Sequence, residues 1–264
     1  MWIENSANQE HTVGIGLDGS LPSELGLLAE LESFIFYREV SLVESLPDTL
    51  QNLKKLNSIE FFGSSISGSL PSWIDQWTSM TYLSLSANDI NGTLPDSLAS
   101  LTDLLVFAVD DNTMTGDLSV LEGLTKLTGL YIDSNGFTGT VENTFLQDLS
   151  NLRILDASGN MLDGTVPVHL MGLPSLTILD IHGNHLTEFP DSIPANGSLS
   201  LLAFYDNPIT GSFPTKTIGN LAELDHLDLT STGFTGGMPS EIGELTKLTY
   251  LFMASTNFTA GSIP

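Results

Sequence analysis

The sequence predicts an α/β solenoid: one domain over residues 1–264, built of about ten stacked repeats that each contribute a short strand and a short helical or 3₁₀ return segment. Three observations predict it. The stretch Leu83-Ser84-Leu85-Ser86-Ala87-Asn88-Asp89-Ile90-Asn91-Gly92-Thr93-Leu94-Pro95 recurs with its first apolar residue at Ile59, Leu83, Phe107, Leu130, Leu155, Leu179, Leu202, Leu227 and Leu251, and irregularly at Phe34, so that successive copies lie 23 to 25 residues apart. Apolar residues at the head of each copy alternate with a period of two. Those after the proline are spaced by three, as in Pro95-x-x-Leu98-x-x-Leu101-x-x-Leu104. A fixed period over so many copies marks a repeat array.

Each element follows from its residues. In Leu83-x-Leu85 the alternation buries both leucines and turns Ser84 outward, which predicts strands at Ile59 to Phe61, Leu83 to Leu85, Phe107 to Val109, Leu130 to Ile132, Leu155 to Ala157, Leu179 to Ile181, Leu202 to Phe204 and Leu227 to Leu229. A column of asparagines follows at Asn88, Asn112, Asn135, Asn160, Asn184 and Asn207. Their amides have donors and acceptors enough to bond the turn backbone of neighbouring coils. The glycine column at Gly68, Gly92, Gly116, Gly139, Gly164, Gly211 and Gly236 suits places where backbone passes close to backbone. Proline then opens the return segment, whose spacing of three gives a 3₁₀ or helical turn one apolar edge. One repeat buries about six apolar side chains at about 1.5 to 3 kcal/mol each, too little to offset the ordering entropy of its own backbone, so stacking is obligatory.

Composition narrows the function. Acidic residues number 32 against 7 lysines and arginines, a formal net charge of −25. Such a chain repels phosphate backbones and anionic lipid, which argues against nucleic-acid partners. There is no cysteine, so thiolate chemistry is excluded. No apolar run approaches the roughly 18 residues that cross a bilayer, and this segment is not expected to insert into a membrane. Met1 to Thr12 is polar and does not read as a signal peptide.

The unit Leu-x-x-Leu-x-Leu-x-x-Asn-x-Leu-x-Gly-x-Leu-Pro resembles the plant-type leucine-rich repeat, found in ectodomains of receptor-like proteins and receptor-like kinases of plants and microalgae. The resemblance runs from about Val13 to Pro264. It implies a right-handed superhelix with a concave parallel β-sheet and short helical or 3₁₀ segments on the convex side. It also implies a cell-surface setting, a non-catalytic recognition role, and a co-receptor as a further partner. The chain departs from the pattern where Ser64, Thr232 and Thr256 stand for Asn, and where Glu188-Phe189-Pro190 shortens a repeat and loses its glycine. Trp2 is present without the cysteines of the cap such ectodomains often carry. Because solenoids need polar capping repeats, the apolar residues Leu251, Met253 and Phe258 so near the end lead one to expect a chain truncated at its C-terminus.

Motifs for chemistry do not survive inspection. Gly14-Ile15-Gly16-Leu17-Asp18-Gly19 matches a dinucleotide-binding pattern in letters, but no strand pattern precedes it and no helix pattern follows. His182 and His185 straddle a strand end and its turn with no third metal ligand nearby in sequence. There is no nucleophile elbow or phosphate loop, so neither enzyme activity nor a cofactor is expected. Sequons at Asn91-Gly92-Thr93, Asn196-Gly197-Ser198 and Asn257-Phe258-Thr259 permit glycosylation without arguing for it.

The outward strand positions carry the functional expectation. Between the two strand leucines stand Glu60, Ser84, Ala108, Tyr131, Asp156, Asp180, Ala203, Asp228 and Phe252. Beyond the second leucine stand Tyr37, Phe62, Ser86, Asp110, Asp133, Ser158, His182, Tyr205, Thr230 and Ala254. Parallel neighbours lie about 4.8 Å apart, so Asp110 should face Asp133 and Asp156 should face Asp180. Each such pair repels by roughly 1 kcal/mol in water and up to about 3 kcal/mol at an effective dielectric of 20, which a cationic ligand would relieve. Asp110, Tyr131, Asp133, Asp156, Asp180, His182 and Tyr205 are therefore the candidate ligand-binding residues, with a peptide or protein, or else a glycan, as partner. The alternatives are a soluble enzyme inhibitor, the ectodomain of a receptor-like kinase, and an ice-binding protein. The last rests on hydroxyl pairs beside the glycines, such as Asn91/Thr93, Thr138/Thr140 and Thr210/Ser212, interrupted by Asp117 and Asp163.

Overall fold

The computed structural model describes residues 18–37, 41–42, 44–142, 144–195, 197–214 and 217–259. The strand leucines stack into a ten-stranded sheet whose strands follow chain order, from Ser33–Tyr37 through Ser58–Phe62 and Tyr82–Ser84 to Tyr250–Phe252. Every neighbouring pair in it is parallel and joins equivalent positions of consecutive repeats, as in Leu83 with Phe107, Leu130 with Leu155 and Leu179 with Leu202. This is the concave sheet. From the third strand on, each strand lies one residue earlier than the alternation suggests: Tyr82–Ser84 instead of Leu83 to Leu85, and Ile154–Asp156 instead of Leu155 to Ala157. The second leucine still donates to the next coil, Leu85 N–H to the Ala108 carbonyl at 2.8 Å, but the chain then turns and the ladder stops.

That turn passes through a left-handed residue before the asparagine, occupied by Ala87, Asp111, Ser134, Gly159, Gly183, Asp206, Ser231 and Ser255 at φ between 50° and 61°. The asparagines fasten it. Asn160 is buried, donates through Nδ2 to the Ile132, Ala157 and Ser158 carbonyls, and accepts the Phe137 N–H at 3.0 Å. Two of those four partners belong to the preceding coil, so the side chain replaces ladder bonds that the turn has broken. Asn88, Asn112, Asn135, Asn184 and Asn207 repeat the arrangement.

Beyond the turn runs a second sheet of nine parallel strands, from Ser67–Ser69 to Asn257–Phe258, which the alternation of apolar residues does not announce. Its glycines have a steric cause. Gly116 has φ +89°, and a Cβ there would lie 2.7 Å from Cγ2 of Thr93 on the preceding coil. The return segments are seven 3₁₀ turns among the described residues, such as Asp96–Ser100, and one four-residue α-helix, Val168–Met171. A single apolar core runs from Leu46 to Leu245, with Leu85, Leu130 and Leu179 at 0% exposure.

The irregular repeat is repaired by packing. Where Glu188 stands for glycine the second sheet shifts register between Gly164 and Thr165, and the following Phe189 turns inward. Its ring lies 5.2 Å from Phe204, 5.9 Å from Phe213 and 5.9 Å from Phe234. Most of the dinucleotide-like stretch, residues 14–17, lies outside the described residues, as do Trp2 and Asn196. Among the described residues, no helix is long and apolar enough to cross a membrane.

Candidate functional site

Strand pairing places Tyr131, Asp156, Asp180, Ala203, Asp228 and Phe252 in one row across the concave sheet, so Asp156 and Asp180 do stand opposite each other. Asp110, Asp133, His182 and Tyr205 form a second row, on the turns just past the strand ends. The two rows are held differently. Row-one aspartates bond their own turns: Asp156 Oδ1 accepts from the Ser158 N–H and hydroxyl, Asp180 Oδ1 from the His182 N–H, and Asp228 Oδ1 from the Thr230 N–H. Each is an Asx-type turn closing its strand. In the second row Asp110 accepts a 2.5 Å bond from the Ser86 hydroxyl of the preceding coil. Asp133 has only the exposed Ser134 hydroxyl, at 3.2 Å.

The electrostatics follow from those bonds. Burial pushes Asp133 up, the negative charges of Asp156, Asp110 and Asp111 push further, and its carboxyl reaches about 7 against an ordinary 3.8. Burial also raises Asp110 and Asp156, with hydrogen bonds from Ser86 and Ser158 holding them back. Asp133 is thus the least compensated charge of the group.

Tyr205 and His182 do not act as separate groups. Their rings stack at 4.1 Å and 10°, and His182 Nδ1 lies 2.7 Å from Asp180 Oδ1. Burial works against protonating His182, but the bond and charge of Asp180, with Asp156 and Asp206, raise its pKa overall. Tyr131 is half-buried, and burial followed by Asp156 and Asp110 raises its hydroxyl. Its ring has room because residue 129 is glycine: a Cβ there would lie 3.0 Å from the ring. His185 begins a strand of the second sheet, apart from His182, and among the described residues no group of three or more acids and histidines is arranged to hold a metal.

A third outward row escapes a reading that stops at the strand leucines. Tyr82, Val106, Gly129, Ile154, Ile178 and Leu201 pair across the sheet one residue before the first leucine, and all but Gly129 are partly exposed. The signal was available, since alternation brings residue 82 to the face of 84 and 86. The concave face therefore carries an apolar track beside an acidic one. Tyr82 bridges them, its hydroxyl pushed up to about 12 by burial, then by Glu60, Tyr131 and Asp110.

The hydroxyl pairs of the second sheet are staggered instead of aligned. Ser69 pairs with Asn91, Asn91 with Thr113, Thr140 with Asp163 and Ser212 with Thr235, a displacement of two residues per coil.

Comparison with known proteins decides the nature of the repeat. Residues 125–186 and 79–101 match family profiles described as leucine rich repeat. The repeats are leucine-rich repeats. Receptor like protein 26 of Arabidopsis thaliana is 38% identical over 96 residues, which cover 36% of this chain and 12% of that protein. Receptor-like protein 41 of the same plant is 35% identical over 125 residues, 45% of this chain and 14% of that one. Among solved structures, the plant peptide hormone receptor RGFR1 in complex with RGF2 superposes with a TM-score of 0.84 at 31% identity, covering 92% of this chain and 39% of the receptor. A plant ice-binding protein gives 0.73 at 27% identity, covering 93% of this chain and 81% of that one. This leucine-rich-repeat chain thus spans only a small part of the curated receptor-like relatives it matches.

Proposed function

We propose that the chain is a non-catalytic recognition module of the receptor-like or adhesion type, working at the cell surface, whose concave face binds an extended peptide or protein segment with basic residues along one edge and apolar residues along the other. The observation that carries this is the poorly compensated Asp133 between Asp110 and Asp156, on the same face as the apolar track of Val106, Ile154, Ile178 and Leu201. Cationic side chains relieve the repulsion, and aliphatic side chains cover the track. Tyr131 on its strand and the stacked His182 and Tyr205 rings on their turns are already fixed and need little ordering on binding, so charge governs encounter while Tyr131 and the His182–Tyr205 stack govern residence. Likeness to a peptide hormone receptor supports a peptide as partner.

The test is stopped-flow binding of extended decapeptides in which Lys alternates with Leu. Replacing Asp133 and Asp156 by Asn slows association and flattens its salt dependence, whereas Tyr131→Ala chiefly speeds dissociation. The pH dependence has a definite sign. Asp133 must lose its proton to attract a cation, so affinity rises as pH increases through about 7, and calorimetry at pH 7 in two buffers shows protons released on binding. Equal binding by the double Asn variant would reduce the acidic face to a solvated surface.

A second reading, ice binding on the hydroxyl-bearing second sheet, is favoured by the ice-binding neighbour, most of whose length this chain spans. The two-residue stagger works against it, because it breaks a flat matched array. Thermal hysteresis of the purified chain decides between them.

A further inference from the structure

A groove of about 710 Å³ lies on the flank where the chain enters the concave strands, lined by Leu105, Lys126, Asn151, Arg153, Pro174 and Ser198 together with Thr128, Thr177 and Ser175. Its volume falls in the range of small-molecule sites, roughly 300 to 1,000 Å³. In a chain with 32 acidic residues, no carboxylate lines it.

Arg153 stands out. Each position in its column lies just before a concave strand, and four hydroxyl residues there bond the carbonyl of the coil before, Thr81 to Asn57, Thr128 to Leu105, Thr177 to Arg153 and Ser200 to Thr177, while Thr249 bonds Lys247 of its own coil and Leu105, Arg153 and Asp225 carry no hydroxyl. An arginine gives up that structural bond. It takes no other, for among the described lysines and arginines Lys54, Lys55, Lys126 and Lys247 each bond an acid or amide of a neighbouring coil, while the Arg153 guanidinium has no partner.

The remaining lining groups have a definite polarity. The Thr128, Thr177 and Ser198 hydroxyls spend their protons on backbone carbonyls, at 3.0, 3.0 and 2.8 Å, and the Asn151 amide nitrogen donates to the Thr125 carbonyl at 2.9 Å. What these bonded oxygens offer a ligand is lone pairs, with one N–H left on Asn151 and the Ser175 hydroxyl free to donate or accept. A ligand that fits must therefore bring several donors of its own, one anionic group for Arg153, and C–H faces for Leu105 and Pro174. Hydroxyl-rich acidic sugars meet all three demands, and a peptide carboxyl-terminus brings few donors.

We propose that this flank groove is a binding site for an acidic saccharide of the uronate class, with Arg153 pairing the carboxylate and Thr128, Asn151, Thr177 and Ser198 accepting from sugar hydroxyls, while Lys126 stays paired with Asp103. The site is separate from the concave face and does not depend on what that face binds. The test is calorimetric titration of the 264-residue chain with trimers of galacturonate and of glucuronate, with neutral trimers of galactose and glucose, and with a tripeptide ending in a free carboxylate. One uronate trimer should bind, and Arg153→Gln should weaken it by at least about tenfold, the loss expected for a charge-assisted pair. Arg153 is exposed, so the variant should keep the parent's melting temperature. Asp133→Asn should leave uronate binding unchanged. No uronate binding at about 1 mM, equal binding of the neutral trimers, indifference to Arg153→Gln, or tighter binding of the tripeptide would each overturn the proposal.

Discussion

At the scale of single residues the asparagine column has a value that can be measured. Removing the Asn160 amide strands the buried Phe137 N–H and leaves the Ile132 carbonyl only the longer bond from Asn135 Nδ2 at 3.4 Å, and a stranded buried polar group costs about 1 to 3 kcal/mol. Asn160→Ala should therefore lower unfolding free energy by about 2 to 4 kcal/mol in urea titration, and Asn160→Thr by nearly as much. The chain contains its own control. At Thr232 the hydroxyl makes one bond, to the Leu229 carbonyl at 2.7 Å, in place of the four made by Asn160. Thr232→Asn, which restores an acceptor for the coil before, should stabilise by about 1 kcal/mol. Asp133 gives a residue-scale prediction with the opposite pH sense from an ordinary carboxylate. Its pKa is raised from 3.8 to about 7 on folding, so the native state holds the extra proton between those values and stability declines as pH rises through the window. Asp133→Asn should thus raise the melting temperature at pH 8 and change it little at about pH 2.5, below both values, where the carboxyl of wild type is neutral in both states.

At the scale of elements, what was legible in the residues and what was not divide along a physical line. Buried strand leucines, the asparagines and the order of the concave strands follow from a side-chain pattern, and pattern is what a sequence displays. The one-residue offset of the strands is a property of the backbone ladder, ended by the left-handed turn at Ala87 and its equivalents, which carries no common side chain. The second sheet was hidden for the same reason, since its short strands alternate around glycine, whose steric cause is a side chain such as Thr93 on the coil before. Of the candidate site, the carboxylate rows could be read from register alone. The inequality among them could not, because it depends on which acid finds a hydroxyl: Asp110 finds Ser86 and Asp156 finds Ser158, while Asp133 is left short. Phe189 shows the reverse case, a departure from the repeat that looks like a defect in the sequence and proves to be a packing centre. Phe189→Ala should cost about 3 to 5 kcal/mol, more than a surface departure would, because the cavity opens between Phe204, Phe213 and Phe234. A chemical denaturation curve on that variant checks it, with a loss under about 1 kcal/mol counting against the packing role.

At the scale of the whole molecule, a stacked array is nearly one-dimensional: each coil is stabilised by its own contacts and by the interface on either side. Interior coils have two interfaces, as Leu155 does, paired with Leu130 and Leu179 and 0% exposed. The coil of Tyr250–Phe252 has one. Among the described residues its strand pairs only with His226–Asp228, and Tyr250, Leu251 and Phe252 are 51%, 41% and 46% exposed. It also lacks the asparagine, with Thr256 making one bond, to the Met253 carbonyl at 3.1 Å. Fewer contacts, fewer turn bonds and an open strand edge all lower the free energy of local opening in the same place. Opening should then propagate inward from this coil, across the Thr232 turn, before it reaches the fully stitched coils around Asn160 and Asn184. Hydrogen exchange followed by mass spectrometry should show amides of 251–258 exchanging faster than those of 155–160 by about two orders of magnitude or more. Adding denaturant at low concentration should narrow the gap from the slow side, since interior amides exchange through larger openings. Equal protection of the two segments in a dilute sample would defeat the argument, because some contact other than the nearest coil would then have to be covering Leu251. Protection that rises with protein concentration would identify that contact as a second copy of the chain.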